Sequence, residues 1–401
     1  MRNPTPTWTR RDAWIGGLLA LLAATASFRV AHALPDRIVD TAGYDVWFES
    51  DAPRVFDNMS SRWSDHYRAK VHPLFSLEAF AATALLRSTL GVGPLEAARY
   101  FMAVVEVLWV LTLFGLLRLM GCRRADAVLF TLLAAVSASA MFWFIVPETS
   151  ALGSLTILLA CGVAVLAHSR AIPTVWYVMA SAATLSVTIT NWMAGIFAAA
   201  TTVPWRRALR ISAWALGLVV VLWAAEKRLF PTTGMLFDGR EERQYLLPPP
   251  AAPSAASAFL FHSIVMPQLT IEGATPSSAP WPMLRTQRSA PGSGSAWGRV
   301  AVGLWTLHAG LGARAVWERK PRTPLQRAWL LTLAGQFLLH LVYGRETFLY
   351  SLHFMPLLVV AAASATLSRL RPAAVALTVA LIVCVGINNV RQLSAAVALL
   401  R

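Results

Sequence analysis

The polar and apolar positions of this chain do not alternate on a short period. They fall into long apolar runs of about twenty residues, cut by short polar stretches, and such a run is long enough to cross a bilayer as a helix. The first covers roughly Ala13–Leu34. Others lie near Leu95–Met120, Ala125–Val146, Ile211–Glu226 and Arg299–Val316, with two more beginning near Tyr350 and ending near Asn388-Asn389. Between Pro173 and Pro204 the pattern fits either two spans meeting at Asn191-Trp192 or one long kinked helix. The expectation is an all-α polytopic membrane protein, a single integral-membrane domain over residues 1–401 with about eleven transmembrane helices.

Two intervals break this rhythm. Residues 35–94 form a first loop, whose centre, Tyr44–Phe75, is dense in charge and closes on His72-Pro73-Leu74. Residues 227–298 hold PPPAAP, GATPSSAP and APGSGS, which cannot build a core and read as a long loop between spans seven and eight. The stretch Pro73–Leu90 is short for a span and carries Glu78 and Arg87. It reads as an interfacial helix, with Leu74, Phe75, Leu77 and Phe80 toward lipid and the two charges toward water.

Charge then orients the chain. With Pro73–Leu90 on the surface, the clusters Arg123-Arg124, His168 with Arg170, Arg206-Arg207 with Arg210, Arg319 to Arg327, and Arg369 with Arg371 all fall on the side of the N-terminal arginines Arg2, Arg10 and Arg11. That side is cytoplasmic by the positive-inside rule, so both long loops face outward, to the periplasm of a bacterial-type inner membrane. Composition agrees: 56% of residues are hydrophobic and 14% charged, against about 25% charged in soluble domains. The net charge of +15 is accounted for by these helix ends; no basic stripe with interleaved aromatics points to nucleic acid. The three cysteines, Cys122, Cys161 and Cys384, form no disulfide framework. Tryptophans such as Trp47, Trp192 and Trp281 read as interfacial belt residues.

Polar residues cluster on the outer side, whereas an ion pathway needs ionisable groups through the bilayer; His308, Gln336 and His340 are the main candidates and are too few and too scattered to trace one. Outer carboxylates beside arginine and histidine suit transfer chemistry at headgroup depth: a carboxylate takes a proton from an acceptor hydroxyl, and a cation stabilises charge on a leaving phosphate. Within the first loop, Asp57 and Asp65 read as ion-pair partners of Arg54, Arg62 or Arg68.

An acidic residue in the first outer loop, HPL opening an interfacial helix, and an arginine heading the second span together resemble the GT-C membrane glycosyltransferases, such as protein O-mannosyltransferases and the aminoarabinose transferases of lipid A. The acidic motif here reads Glu49-Ser50-Asp51 in place of an Asp-Glu pair, and His-Pro-Leu stands in place of His-Pro-Pro. The resemblance implies a catalytic Asp51, with Asp45 as runner-up. It implies that Arg99, Arg345, Tyr350, His353, His72 and Glu148 bind the donor phosphate or substrate. It also implies a polyprenyl-phosphate-linked sugar donor, an extracytoplasmic acceptor (lipid, glycan or protein), membrane lipids as surroundings and inversion at the anomeric carbon; no cofactor or metal set is assigned. The rival readings are a transporter or flippase of lipid-linked sugars and a non-catalytic component of an envelope assembly complex.

Overall fold

The computed structural model describes residues 8–40, 45–272, 283–318 and 322–401. Arg2, Tyr44, GATPSSAP, Trp281 and the pair Arg319-Lys320, used above, lie outside them.

In lipid the backbone has no water to bond, so each apolar run satisfies its own polar groups as a helix. The principal helices are α1 (Arg10–Ala33), α2 (Ala52–Ser60), α3 (Phe75–Leu90), α4 (Pro94–Leu119), α5 (Arg124–Ala135), α6 (Ala138–Trp143), α7 (Thr149–Ser169), α8 (Thr174–Val187), α9 (Trp192–Ala200), α10 (Trp205–Leu229), α11 (Ala296–Glu318), α12 (Pro324–Val342), α13 (Ser351–Ala363) and α14 (Arg371–Leu399). A small antiparallel hairpin, β1 (Thr270–Glu272) with β2 (Met283–Arg285), joins them through Leu284, which is buried in the main core. Among the described residues six stretches are long and apolar enough to cross a membrane: α1, α4, α7, α10, α14 and Thr347–Leu367, which contains α13. The protein is an all-helical, membrane-embedded molecule.

Two expected spans are not single helices. The Ala125–Val146 run breaks after Ala135, and Ser137 caps a new helix by accepting from the Ala140 N–H at 3.3 Å. The break is held from elsewhere: Ala138 N–H donates to Ile264 O, and Asn389 Nδ2 donates to Val136 O at 2.9 Å. The Pro173–Pro204 run is neither a continuous kinked helix nor two full spans. It is a hairpin of α8, 14 residues, and α9, 9 residues, each shorter than the roughly twenty needed to cross. Trp192 Nε1 donates back to Ser181 Oγ at 2.9 Å. The hairpin closes tightly because position 195 is glycine: a Cβ there would lie 2.5 Å from Ser181 Cα. A similar small-residue contact joins α11 to α13 at Gly312, whose backbone runs against Ala361 and Ala362.

The two ends of the bundle carry different polar clusters. At one end Asp12 of α1 bonds Arg118 at the end of α4 (3.0 Å) and Arg124 at the start of α5 (2.8 Å), and Asp126 grips Arg371 of α14. At the other, His32 near the end of α1 meets Glu96 near the start of α4 (2.9 Å), and Arg99 meets Asp36 (3.0 Å). α1 and α4 are therefore antiparallel, and everything between them, α3 included, leaves and returns at the same end.

α3 departs from the expected interfacial geometry in its first half. Leu74 and Phe75 are buried in protein, not turned to lipid; Leu74 packs with Leu185, Ala215 and Val219. Its second half is exposed, with Leu85 and Arg87 on the outside. Trp47 is likewise fully buried, with Nε1 donating to Phe142 O at 3.1 Å, so it is a core residue and not part of an aromatic belt.

Candidate functional site

The first loop is fixed in place before it reaches its acidic residues. Trp47 bridges Leu284 of β2, and Leu284 N–H donates to Val46 O at 2.9 Å. Phe48 sits fully buried among Phe142, Trp143 and Phe348. Phe48 and Glu49 both hold left-handed backbone, φ 52° and 58°, which L side chains rarely adopt. Glu49 is ion-paired with Arg285. Beyond β2, buried Glu346 accepts from the Thr286 and Gln287 N–H groups at 3.0 and 3.1 Å, and so clasps the segment after α10 to the start of the Thr347–Leu367 stretch. This scaffold delivers Asp51 to the N-cap position of α2.

Asp51 opens onto a cavity of about 300 Å³. Its carboxylate is ion-paired with Arg54, and Arg68 Nε lies 3.9 Å away. Arg68, on a single 3₁₀ turn (Tyr67–Lys70), continues the chain of contacts to Glu242 at 2.8 Å, which accepts from Tyr343 Oη at 2.5 Å. Burial opposes the charge on Arg68, but the Asp51 and Glu242 carboxylates more than reverse this and hold its pKa above the ordinary value. Arg54 and Arg68 each keep an Nε–H without a hydrogen-bond partner. Lys70 completes the cationic wall beside the Tyr67 ring.

The facing wall is uncharged or acidic. His72 lies against the tip of the α8–α9 hairpin, its Nδ1 2.8 Å from Val187 O; with the proton on Nδ1, Nε2 is left as an acceptor. Burial and then the Arg68 charge push its pKa down to about 3, so the ring is neutral. The hairpin tip Thr188–Thr190 lines the cavity, and Ile189 N–H donates to Val71 O at 3.0 Å. An α8 of 14 residues rises roughly 21 Å, and the first loop meets its end, Leu74 N–H donating to Ser186 O at 2.8 Å. Glu148 caps α7 by accepting from the Thr149 N–H at 2.7 Å, and burial, then the Asp51 charge, raises its pKa. His353 of α13 fits against Gly153, where a Cβ would lie 2.7 Å from its Nε2, a nitrogen without a hydrogen-bond partner. Tyr350 stacks on His340, ring centroids 4.9 Å apart.

Of the residues singled out in the sequence, Asp51, His72, Glu148, Tyr350 and His353 line one cavity. Asp45 stands behind it. Burial, then the Asp51 charge, pushes its carboxyl up to about 7. Arg99 and Arg345 do not line the cavity. Arg99 is engaged by Asp36 and Glu96, and Arg345 is exposed, donating to Gln244 O at 3.2 Å over the Tyr245 ring. Asp57 and Asp65 do not pair with the loop arginines as expected: Arg54 and Arg68 turn to Asp51 and Glu242, Arg62 donates to Leu229 O, Asp57 is exposed, and Asp65 accepts from the Tyr67 N–H at 3.1 Å.

Sequence reasoning passed over Arg68 and Lys70 as cavity residues, although they immediately precede the HPL signal. Glu242 and Tyr343 carried no local signal, being brought in across the whole chain. Among the described residues no three His, Cys, Asp or Glu side chains gather to hold a metal. The arrangement is a carboxylate held between two arginines in the wall of a mostly apolar pocket, suited to an anionic group beside a hydroxyl that must lose a proton. Compared with protein-family models, with curated proteins and with solved structures, the chain matches none.

Proposed function

We propose that this protein is a GT-C-like glycosyltransferase that moves a sugar from a polyprenyl-phosphate donor to an acceptor outside the cytoplasm. The observation that supports this reading is the meeting of Asp51 with Arg54, Arg68, His72, Glu148, Tyr350 and His353 in one cavity at a single end of the helix bundle. That end lies opposite the Arg118, Arg124 and Arg371 cluster. On the positive-inside rule the cavity is then periplasmic in a bacterial-type inner membrane, and the broken and short helices complete a layout of about eleven membrane segments.

In this reading Asp51 takes the acceptor hydroxyl proton. The acceptor oxygen bonds to the anomeric carbon as the carbon–oxygen bond to phosphate breaks, and the phosphate leaves with the electron pair. Direct displacement inverts the anomeric centre. Arg54 and Arg68, with their unused Nε–H groups, receive the charge on the phosphate; this role falls to them rather than to Arg345.

The test is purified protein in lipid with a polyprenyl-phosphate sugar, following acceptor consumption and donor affinity together. Asp51→Asn is expected to lower turnover by about two to four orders of magnitude with little change in donor affinity. Arg68→Ala is expected to weaken donor affinity by about tenfold to a hundredfold, the worth of a charged hydrogen bond. Arg345→Ala and the exposed Asp57→Asn should change neither by more than about twofold. Near wild-type turnover by Asp51→Asn would remove Asp51 from the mechanism, and donor movement across the bilayer without sugar transfer would favour the transporter reading.

A further inference from the structure

A second cavity, of about 250 Å³, lies within the membrane between α1, α4, α5 and α14 and shares no lining residue with the first. Its walls are apolar except for Ser27, Glu106 and Thr131. Glu106 stands in the middle of α4, roughly 18 Å of helix from either end, which is mid-bilayer depth. It is 3% exposed; Ser27 Oγ donates to its Oε1 at 3.1 Å, while Oε2 has no hydrogen-bond partner. Thr131 Oγ1, buried on the facing helix, has none either. No Lys, Arg or His is among the residues lining the cavity. Leu22 and Val390 line it and are 59% and 52% exposed, so it opens sideways to the lipid between α1 and α14.

A carboxylate without a cation is very costly in such surroundings, so the group keeps its proton and its O–H is a donor. An unused buried donor is itself costly, and so is the unpartnered threonine hydroxyl lining the same cavity. Each is relieved by an oxygen acceptor carried on an apolar body that arrives from the lipid. A phospholipid's ester groups sit near the interface, well above Glu106; uncharged lipids can reach the midplane.

We propose that this cavity binds an uncharged membrane lipid whose carbonyl oxygen accepts a hydrogen bond from the Glu106 carboxyl, with Thr131 as second donor and the lipid chains against Leu22, Met141 and Val390. The site is independent of the sugar-transfer reading, since neither its residues nor its chemistry are shared with the first cavity.

The experiment uses the full chain in phosphatidylethanolamine–phosphatidylglycerol vesicles with a diazirine-bearing diacylglycerol. Photolabelling should map to segments 19–30, 131–145 or 386–393 and be competed by unlabelled diacylglycerol. Glu106→Gln, whose amide still donates, should label within about twofold of wild type. Glu106→Leu should label about tenfold less, the worth of one buried hydrogen bond. Ala135→Phe, which fills the cavity without touching the carboxyl, should abolish labelling. Labelling that survives Ala135→Phe, or is equal in Glu106→Leu, overturns the site. Loss of labelling in Glu106→Gln, with competition by a long-chain alkylamine, also overturns it by making the cavity a cation site.

Discussion

At the scale of single residues, the candidate site is organised by two consecutive strained positions. Phe48 and Glu49 hold left-handed backbone, and the buried aromatic cluster and the Glu49–Arg285 pair supply what keeps them there. The outcome is that Asp51 lines the cavity while Asp45 does not. Asp45 and His72 make stability depend on pH in opposite directions. Asp45 has a folded pKa near 7, above its ordinary 3.8, so the folded state binds the extra proton and stability falls as pH rises from about 4 to 7. His72, near 3 instead of 6.5, gives the unfolded state the extra proton, and its contribution rises from about pH 3 to 6.5. In wild type the two slopes partly cancel. Asp45→Asn removes the falling one, so its thermal midpoint should gain on wild type steadily from pH 4 to 7 and hold the gain above, a difference on the order of 2–4 kcal/mol. A constant offset across that range would show that Asp45 titrates normally. A second residue-scale expectation concerns Gly153→Ala: the added methyl must displace both His353 and Asn191, so activity should fall at least about tenfold while the helical circular dichroism is kept.

At the scale of elements, the breaks matter more than the helices. Ser137 and Asn389 stop the Ala125–Val146 run from being one rod. Asn389 uses its whole side chain: Nδ2 donates to Val136 O and Ile264 O, both at 2.9 Å, and Oδ1 accepts from Met266 N–H at 2.9 Å. Asn389→Leu, close in volume, orphans Val136 O and the Met266 N–H at about 1–3 kcal/mol each and leaves Ile264 O only its bond from Ala138 N–H. It is expected to lower the thermal midpoint far more than Ser137→Ala, which removes a cap worth about 1 kcal/mol. Equal losses would mean the break holds itself. The α8–α9 hairpin is the other departure, and its tip supplies the floor under His72.

At the scale of the whole molecule, the polar clusters at the two bundle ends set up a test of orientation. Cysteines at Trp63 and Pro253, both exposed, should react with an impermeant thiol reagent added to intact cells, and one at the exposed Arg322 should not. The reverse pattern would turn the bundle over and place the candidate site on the cytoplasmic side.

The sequence by itself determined the class and the helix-forming segments, because the cost of bare backbone in lipid acts on any stretch of about twenty apolar residues whatever its neighbours. It also marked the Asp51 loop and His72, since charge density and HPL are local. What only the tertiary structure decided is how these parts are shared out. Whether an apolar run is one span or two pieces depends on a side chain such as Asn389 arriving from far along the chain. Whether an arginine is a site residue depends on its partner: Arg68 meets Glu242 across 174 residues and stays at the cavity, while Arg99 is taken by Asp36 and Glu96. Glu106 is a lone carboxylate in an apolar run, which no local pattern marks as a site; the packing of α1, α5 and α14 around it made the second cavity. Local pattern fixes which segments can live in lipid; long-range packing fixes which polar atoms meet, because those energies belong to pairs and not to either residue alone.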